Sequence, residues 1–348
     1  MKSGKAREFA VVLLVTGICG WWLATSRDGK VRADLRSLVL VVNQGDANLS
    51  ILDAAGKKQV ATISEELTDV HGHEVAASPD GKTAYVPIYG SSGVGKPGID
   101  GHEMLVIDVA SGKITHRVDF GAGVRPHCVI YEPVAGMLYV TTELQNTVTI
   151  VDPKTLKIVG TIPTGQAESH MLAITADGTR GYTSNVGPGT VSVLDLKSRK
   201  TIAVIPVAPG AQRIALSRDG SMAFTADQAK PRLAVIDTKT NAVKQWVTLP
   251  AIAYGTAATL DGKWLVVTTR AGVAALDLKT MEVAKVLQVP GSPQEVLIAP
   301  DGKMAYVSCA VQGKNGQVAV IDLAAWKVDA LVEAGKFPDG LAWAGETK

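Results

Sequence analysis

Three of the six histidines, His73, His127 and His170, hold one register position in a repeated pattern. His73 and His170 each stand seven residues before the Asp of an Asp-Gly pair, at Asp80-Gly81 and Asp177-Gly178; His127 takes the same place when Pro133 is aligned with Pro79. A neutral imidazole carries a lone pair on one ring nitrogen, and three of them around an open position make a catalytic-type site for zinc, copper or iron. The same register places Gln212, Tyr254 and Gln294 in three further copies and Asp339 in the last, through Pro338 matched to Pro293. Read as a ring of hydrogen-bonding groups, these positions would bind an anionic or polyhydroxylated small molecule instead.

The elements that must position these residues are short strands. An Asp closing an apolar segment recurs at Asp53, Asp108, Asp152, Asp195, Asp237, Asp277 and Asp322, at intervals of 40 to 55 residues. Asp-Gly pairs, at Asp80-Gly81, Asp177-Gly178, Asp219-Gly220, Asp261-Gly262 and Asp301-Gly302, precede a second strand, with Val134-Ala135-Gly136 as a degenerate copy; each is a hairpin signal. Between them the segments alternate, as in Thr147–Asp152 and Val191–Asp195, at the period of half-buried strands. Four strands per unit and seven units in series predict an all-β, seven-bladed β-propeller. The first unit lacks its opening strand, and Lys336–Trp343 supplies one, so the C-terminal strand is expected to pair into the first blade and close the ring.

The second strands read Leu40-Val-Val-Asn, Tyr85-Val-Pro-Ile, Tyr139-Val-Thr-Thr, Tyr182-Thr-Ser-Asn, Phe224-Thr-Ala-Asp, Val266-Val-Thr-Thr and Tyr306-Val-Ser-Cys. Over nearly all of residues 38–343 the chain thus resembles the YVTN-repeat propellers, a group that includes YncE-like and lactonase-like proteins. The resemblance is specific for fold and implies little about function, since the group hosts binding proteins and enzymes alike.

In such a propeller the first strand of each blade lines the central channel, and its first residues share a face with the loops joining strands two and three. In blade two that loop, Tyr89–Glu103, is about a dozen residues longer than its counterpart in blade six. Long loops in compact repeats are usually functional. This one is expected to lie over the channel mouth and bring Lys96, Asp100, His102 or Glu103 towards the histidines. Glu143, Asn185, Asp227 and Arg270 come from corresponding loops, and Arg125 is a candidate anion contact. His116 is expected to face solvent. Strand alternation argues against His73 and Glu74 both facing the axis.

Three functions fit these residues. The first is a small ligand or metal ion (zinc, copper or iron) held at the mouth by His73, His127 and His170, with Arg125, His102, Asn185, Gln212, Tyr254, Gln294 and Asp339 around it. The second is a metal-assisted or lactonase-like enzyme on the same face, with Glu103 or Glu143 as general base. The third is a protein-interaction scaffold. Gly90–Lys96 spells the start of a phosphate-binding loop, but Pro97 stands where a hydroxyl would hold magnesium. Neither Gly-x-Ser-x-Gly nor His-Glu-x-x-His occurs.

Lys2, Lys5 and Arg7 precede an apolar run from Phe9 to Ala24, followed by Thr25 and Ser26, the pattern of an export signal over residues 1–26. The run is shorter than a bilayer-spanning helix, which favours a cleaved signal over a retained anchor. A linker over 27–37 and one propeller over 38–348 complete the chain. Periplasmic or secreted location, a monomeric state and no membrane contact beyond an uncleaved N-terminus are expected. The formal net charge of +2 belongs to the signal, so a basic nucleic-acid footprint is excluded. Cys128 and Cys309 fall in non-adjacent blades and are expected to be buried thiols.

Overall fold

The computed structural model describes residues 37–345; the expected signal and all of the linker but Ser37 lie outside them. Seven antiparallel sheets follow one another along the chain. Blades three to seven each hold four consecutive strands, opening with Pro126–Glu132, Ser169–Ile174, Ile214–Leu216, Ala253–Ala258 and Ser292–Ile298. Blade two has its opening strand broken into His71–Gly72 and Ala76–Ala77. Blade one is built from both ends of the described chain. Pro338–Ala344 pairs antiparallel with Leu38–Asn43, through Leu38 with Ala344 and Leu40 with Ala342, and the ring closes as the sequence predicts.

The repeated residues have local causes. Each strand-closing Asp turns its carboxylate onto the backbone of the turn that follows, as Asp237 Oδ1 does towards the N–H groups of Lys239 and Thr240. Such a side-chain turn fixes the hairpin between strands three and four. In the Asp-Gly pairs the glycine takes a positive φ, +70° at Gly302, which a side chain disfavours. The aromatic at the head of the second strand is buried in Tyr85, Tyr139, Tyr182, Phe224 and Tyr306. Tyr139 and Tyr182 join residues of blades three, four and five in one apolar cluster, so blades are held to their neighbours by face-to-face burial. Cys128 and Cys309 are free and buried. No helix among the described residues is long and apolar enough to cross a membrane.

Candidate functional site at the channel mouth

The strands that line the channel are irregular at the register positions singled out by sequence. In blades one, three, six and seven, two residues of the opening strand oppose one residue of the second: Asp339 and Gly340 oppose Val42, His127 and Cys128 oppose Thr141, Tyr254 and Gly255 oppose Thr268, and Gln294 and Glu295 oppose Ser308. In blade four the register shifts around His170, and in blade five pairing starts only after Arg213. Bulges re-aim side chains and end pairing, and here they do so around the axis.

The opposing residue is the third of the Tyr-Val-Thr-Asn-like tetrad, and outside blade one, where it is Val42, its hydroxyl secures the bulge. Thr268 Oγ1 accepts from Gly255 N at 2.6 Å in its own blade and donates to Gln294 O of the next at 2.6 Å. Thr141 Oγ1 likewise accepts from Cys128 N and donates to His170 O at 2.8 Å. Ser184 Oγ donates to the Gln212 carbonyl. Thr268→Val is therefore expected to cost about 1–3 kcal/mol, because two buried backbone groups lose their partner at constant side-chain shape. Denaturant unfolding measures this; an unchanged midpoint would contradict the clamp.

The three predicted imidazoles do come together, buried to 7%, 2% and 4% relative exposure for His73, His127 and His170. His127 and His170 stack with ring centres 3.7 Å apart and planes 27° from parallel, while His73 meets His127 edge-on at 5.2 Å. Tyr89 lies against His73 at 4.5 Å and His127 at 5.1 Å. Its hydroxyl donates to Glu143 Oε1 at 3.0 Å, and His170 Nδ1 lies 3.0 Å from Glu143 Oε2. A carboxylate there accepts the Nδ1 proton and leaves the His170 Nε2 lone pair directed elsewhere. His73 Nε2 and His127 Nδ1 are buried without a hydrogen-bond partner. Burial, reinforced by the neighbouring imidazoles and the Arg213 charge, holds both rings well below the usual imidazole range, so they are neutral. Among the described residues, no three His, Cys, Asp or Glu side chains surround one point as metal ligands do.

The opposite side of the axis is ionic. Arg213, 4% exposed, has Nη1 2.8 Å from Glu74 Oε1 and 3.2 Å from Glu295 Oε2, and Nη2 2.6 Å from Asp339 Oδ1. Gln44 Nε2 donates to Asp339 Oδ2, and the Tyr254 ring lies 5.0 Å from the guanidinium carbon. Burial outweighs Arg213 and raises Glu74 well above the usual carboxyl range; Asp339 is raised for the same reason. Blades one, two, five, six and seven thus meet at one guanidinium.

The blade-two loop crosses this mouth. Gly101 N donates to Tyr89 O and Arg125 N to Gly101 O, tying its base to blade three. The buried Arg125 side chain bonds Asp100 Oδ1 at 2.5 Å and the Lys96 carbonyl at 2.8 Å. Farther out, a Cβ on Gly95 would stand 3.1 Å from Glu168 Oε1 of blade four. The loop therefore reaches from blade two to blade four.

Not every predicted residue joins the cluster. His102 is exposed, with Nδ1 3.1 Å from Asp119, and Glu103 pairs with Arg117 at 2.6 Å. Both follow the loop's return into the third strand of blade two, which carries them away from the axis. The Asn185 amide is taken up by Ser169, Thr190 and Ser192, and Asp227 by Arg232 and the backbone of its own turn. Gln212 and Gln294 contribute clamped carbonyls, and Gln294 Nε2 turns back to Ser292. Lys96 is exposed, and so is His116, as expected. Alternation fails at His73 and Glu74: the strand is broken there, and both are buried. Sequence reasoning missed Glu74, Arg213 and Glu295, each one residue past the register position; a charge repeated in that column of an apolar strand was the available signal.

Glu65, fully buried, adds a pH dependence. Its Oε2 accepts from Gly72 N at 3.0 Å, its Oε1 has no partner, and burial pushes its carboxyl up to about 7. A raised folded-state value makes its contribution complete below about pH 4.5 and lost as pH climbs to 7. Glu65→Gln should therefore stabilise the protein by up to about 3 kcal/mol at pH 8 and by little at pH 4. Melting curves at both pH values check this; an equal gain at each would contradict it.

Fold and axis together define a closed seven-bladed β-propeller with a channel mouth plugged by polar side chains. Residues 127–293 match a family model described as a domain of unknown function, DUF5074. Over 231 residues the chain is 24% identical to the uncharacterized protein YncE of Salmonella typhi, and equally to that of Salmonella typhimurium, covering 62% of this chain and 65% of the relatives' own length. The chain is thus similar to YncE at low identity, and spans a little under two thirds of the length of those relatives. Among solved structures, a functionally unknown protein from Desulfotomaculum acetoxidans superposes with TM-score 0.73 at 14% identity, over 88% of this chain and 98% of that one. Kuenenia stuttgartiensis hydrazine synthase does so with TM-score 0.67 at 18% identity (82% and 93%). The dihydro-heme d1 dehydrogenase NirN in complex with DHE follows with 0.65 at 17% (91% and 77%). At these identities the likeness is one of fold.

Proposed function

We propose that this protein is an exported binding propeller that takes a small ligand or metal ion at the imidazole cluster beneath the 89–103 loop. The observation that carries the reading is the pair of neighbouring buried ring nitrogens, His73 Nε2 and His127 Nδ1, with no protein partner. A buried unpaired polar atom costs about 1–3 kcal/mol and calls for a reason; an occupant that uses both nitrogens supplies one. Clefts of about 410 Å³ between blades one and seven and 430 Å³ between blades four and five do not touch the histidines. In this reading loop 89–103 moves aside for binding, with the Arg125–Asp100 pair as its latch. For a metal, the stacked rings of His127 and His170 must also rotate before three nitrogens converge, with Glu143 holding the His170 tautomer.

A second reading is favoured by the Tyr89–Glu143–His170 chain, which joins a phenol, a carboxyl and an imidazole by hydrogen bonds in a buried setting. That is the outfit of a proton-transferring enzyme on the same face, with Glu143 as base. Two of the fold neighbours carry enzyme names, which is in keeping with it.

The test is a thermal-shift screen of the full chain against divalent metals and small polar molecules, with metal analysis of the protein as isolated. At least one probe should raise the melting temperature of the native chain and fail to do so in His73→Leu/His127→Leu. A screen without a hit, or a hit that survives both substitutions, contradicts the proposed site. Turnover of a hit that is lost in Glu143→Gln would move the protein to the enzyme reading.

A further inference from the structure

The face opposite the channel mouth carries the Asp-Gly turns and the turns between strands three and four. There a cleft of about 430 Å³ opens between blades four and five, lined by Arg180, Arg218 and Lys239, the first half-buried and the others exposed. Arg180 opens the second strand of its blade, a place that is apolar in the other blades or, in blade two, Thr83. Arg218 precedes an Asp-Gly pair, where the other four pairs have Pro79, Ala176, Leu260 and Pro300. Two arginines thus meet at one blade boundary and at no other. None of the three cations is ion-paired among the described residues. Arg180 Nη1 reaches the Thr238 carbonyl of blade five at 3.4 Å, and the rest of its donor fork is open. The carboxylates nearby are spent on their own turns: Asp177 Oδ1 accepts from Thr175 Oγ1 and Thr179 N, Asp219 Oδ1 from Ser217 Oγ and Ser221 N, and Asp195, paired across the sheet with Arg180, from Ser198 N.

A further donor lies in the same cleft. Tyr182 lines it, is 0% exposed, and has a buried hydroxyl with no hydrogen-bond partner. Tyr85, Tyr139 and Tyr306 head the equivalent strands, and none of their hydroxyls is left in that state. A buried unpartnered hydroxyl calls for a reason, and beside guanidinium groups, which only donate, the missing partner is an acceptor. Ligand pockets commonly measure about 300–1,000 Å³, so the volume suits an organic molecule better than a bare ion. We propose that this cleft is a second binding site, for a small organic oxyanion whose phosphate or carboxylate group is held by Arg180 and Arg218 and accepts from the Tyr182 hydroxyl. Lys239 adds a third positive charge at the rim. A phosphate monoester and a carboxylic acid share this chemistry, since both take the planar fork of a guanidinium. The site is independent of the imidazole cluster on the opposite face.

Calorimetric titration of the full chain with glycerol 3-phosphate, glucose 6-phosphate and citrate is the test. At least one should bind, and whether it is a phosphate or the citrate names the source. Arg218→Gln, at an exposed position, and Tyr182→Phe should each weaken that probe about tenfold, with the fold confirmed by an unchanged circular dichroism spectrum. Tyr182→Phe should also raise the melting temperature of the ligand-free protein, since it removes the unpartnered hydroxyl; a fall would show that the hydroxyl is satisfied within the protein and overturn the proposal. So would the binding of none of the three probes, or an affinity that either substitution leaves unchanged. An affinity lost in His73→Leu/His127→Leu belongs to the channel mouth and overturns the cleft site while leaving the binding reading above in place.

Discussion

Arg213→Met is expected to be the most damaging single substitution in the protein, lowering stability by about 3–5 kcal/mol and the melting temperature by roughly 5–10 °C. The guanidinium stands within 3.2 Å of Glu74, Glu295 and Asp339, which come from blades two, seven and one. Methionine fills the volume but leaves three carboxyl groups facing one another in a buried site. The loss should be partly reversed by Glu295→Gln in the same chain, because the double variant removes a carboxylate along with the cation, whereas additive losses would show that Arg213 acts through packing alone. Chemical denaturation of the three variants gives the answer.

His127→Leu is expected to have the opposite effect on stability and a larger one on binding. The ring is 2% exposed and its Nδ1 bonds to nothing in the protein. Replacing a buried unpaired polar atom with an apolar group of similar size should stabilise the empty protein by about 1 kcal/mol. Binding should fall below detection. A residue that costs stability and is required for function marks a site rather than a structural plug, as sites commonly trade one for the other. A scaffold that uses its outer surfaces would gain the stability and lose nothing. Melting temperature and probe affinity measured on one sample separate the two.

The propeller was legible because its repeat is dictated locally. Each of the seven strand-closing Asp residues makes its own turn, and the glycine of each of the five Asp-Gly pairs holds a positive φ, so the same backbone constraints recur along the chain. His73, His127, His170, Tyr254 and Asp339 were found at the axis because the register that counts blades also counts channel positions. The ionic half was less visible. Whether Gln212 or Arg213, and Gln294 or Glu295, turns inward depends on a bulge, and a bulge is set by pairing between strands. The loop divided in the same way. Its length signalled a cover for the mouth, but the return path that pairs Glu103 with Arg117 and His102 with Asp119 belongs to the tertiary structure of blade two. Tyr89, the residue that touches His73, His127 and Glu143 together, sits just past the tetrad where blade two departs from the repeat.

The most direct test observes the ring nitrogens themselves. In protein labelled with ¹⁵N at histidine, a binding probe from the screen should move the His73 Nε2 and His127 Nδ1 resonances and leave those of exposed His116 in place. A probe that binds while His73, His127 and His170 all stay unmoved would contradict a site at the channel mouth.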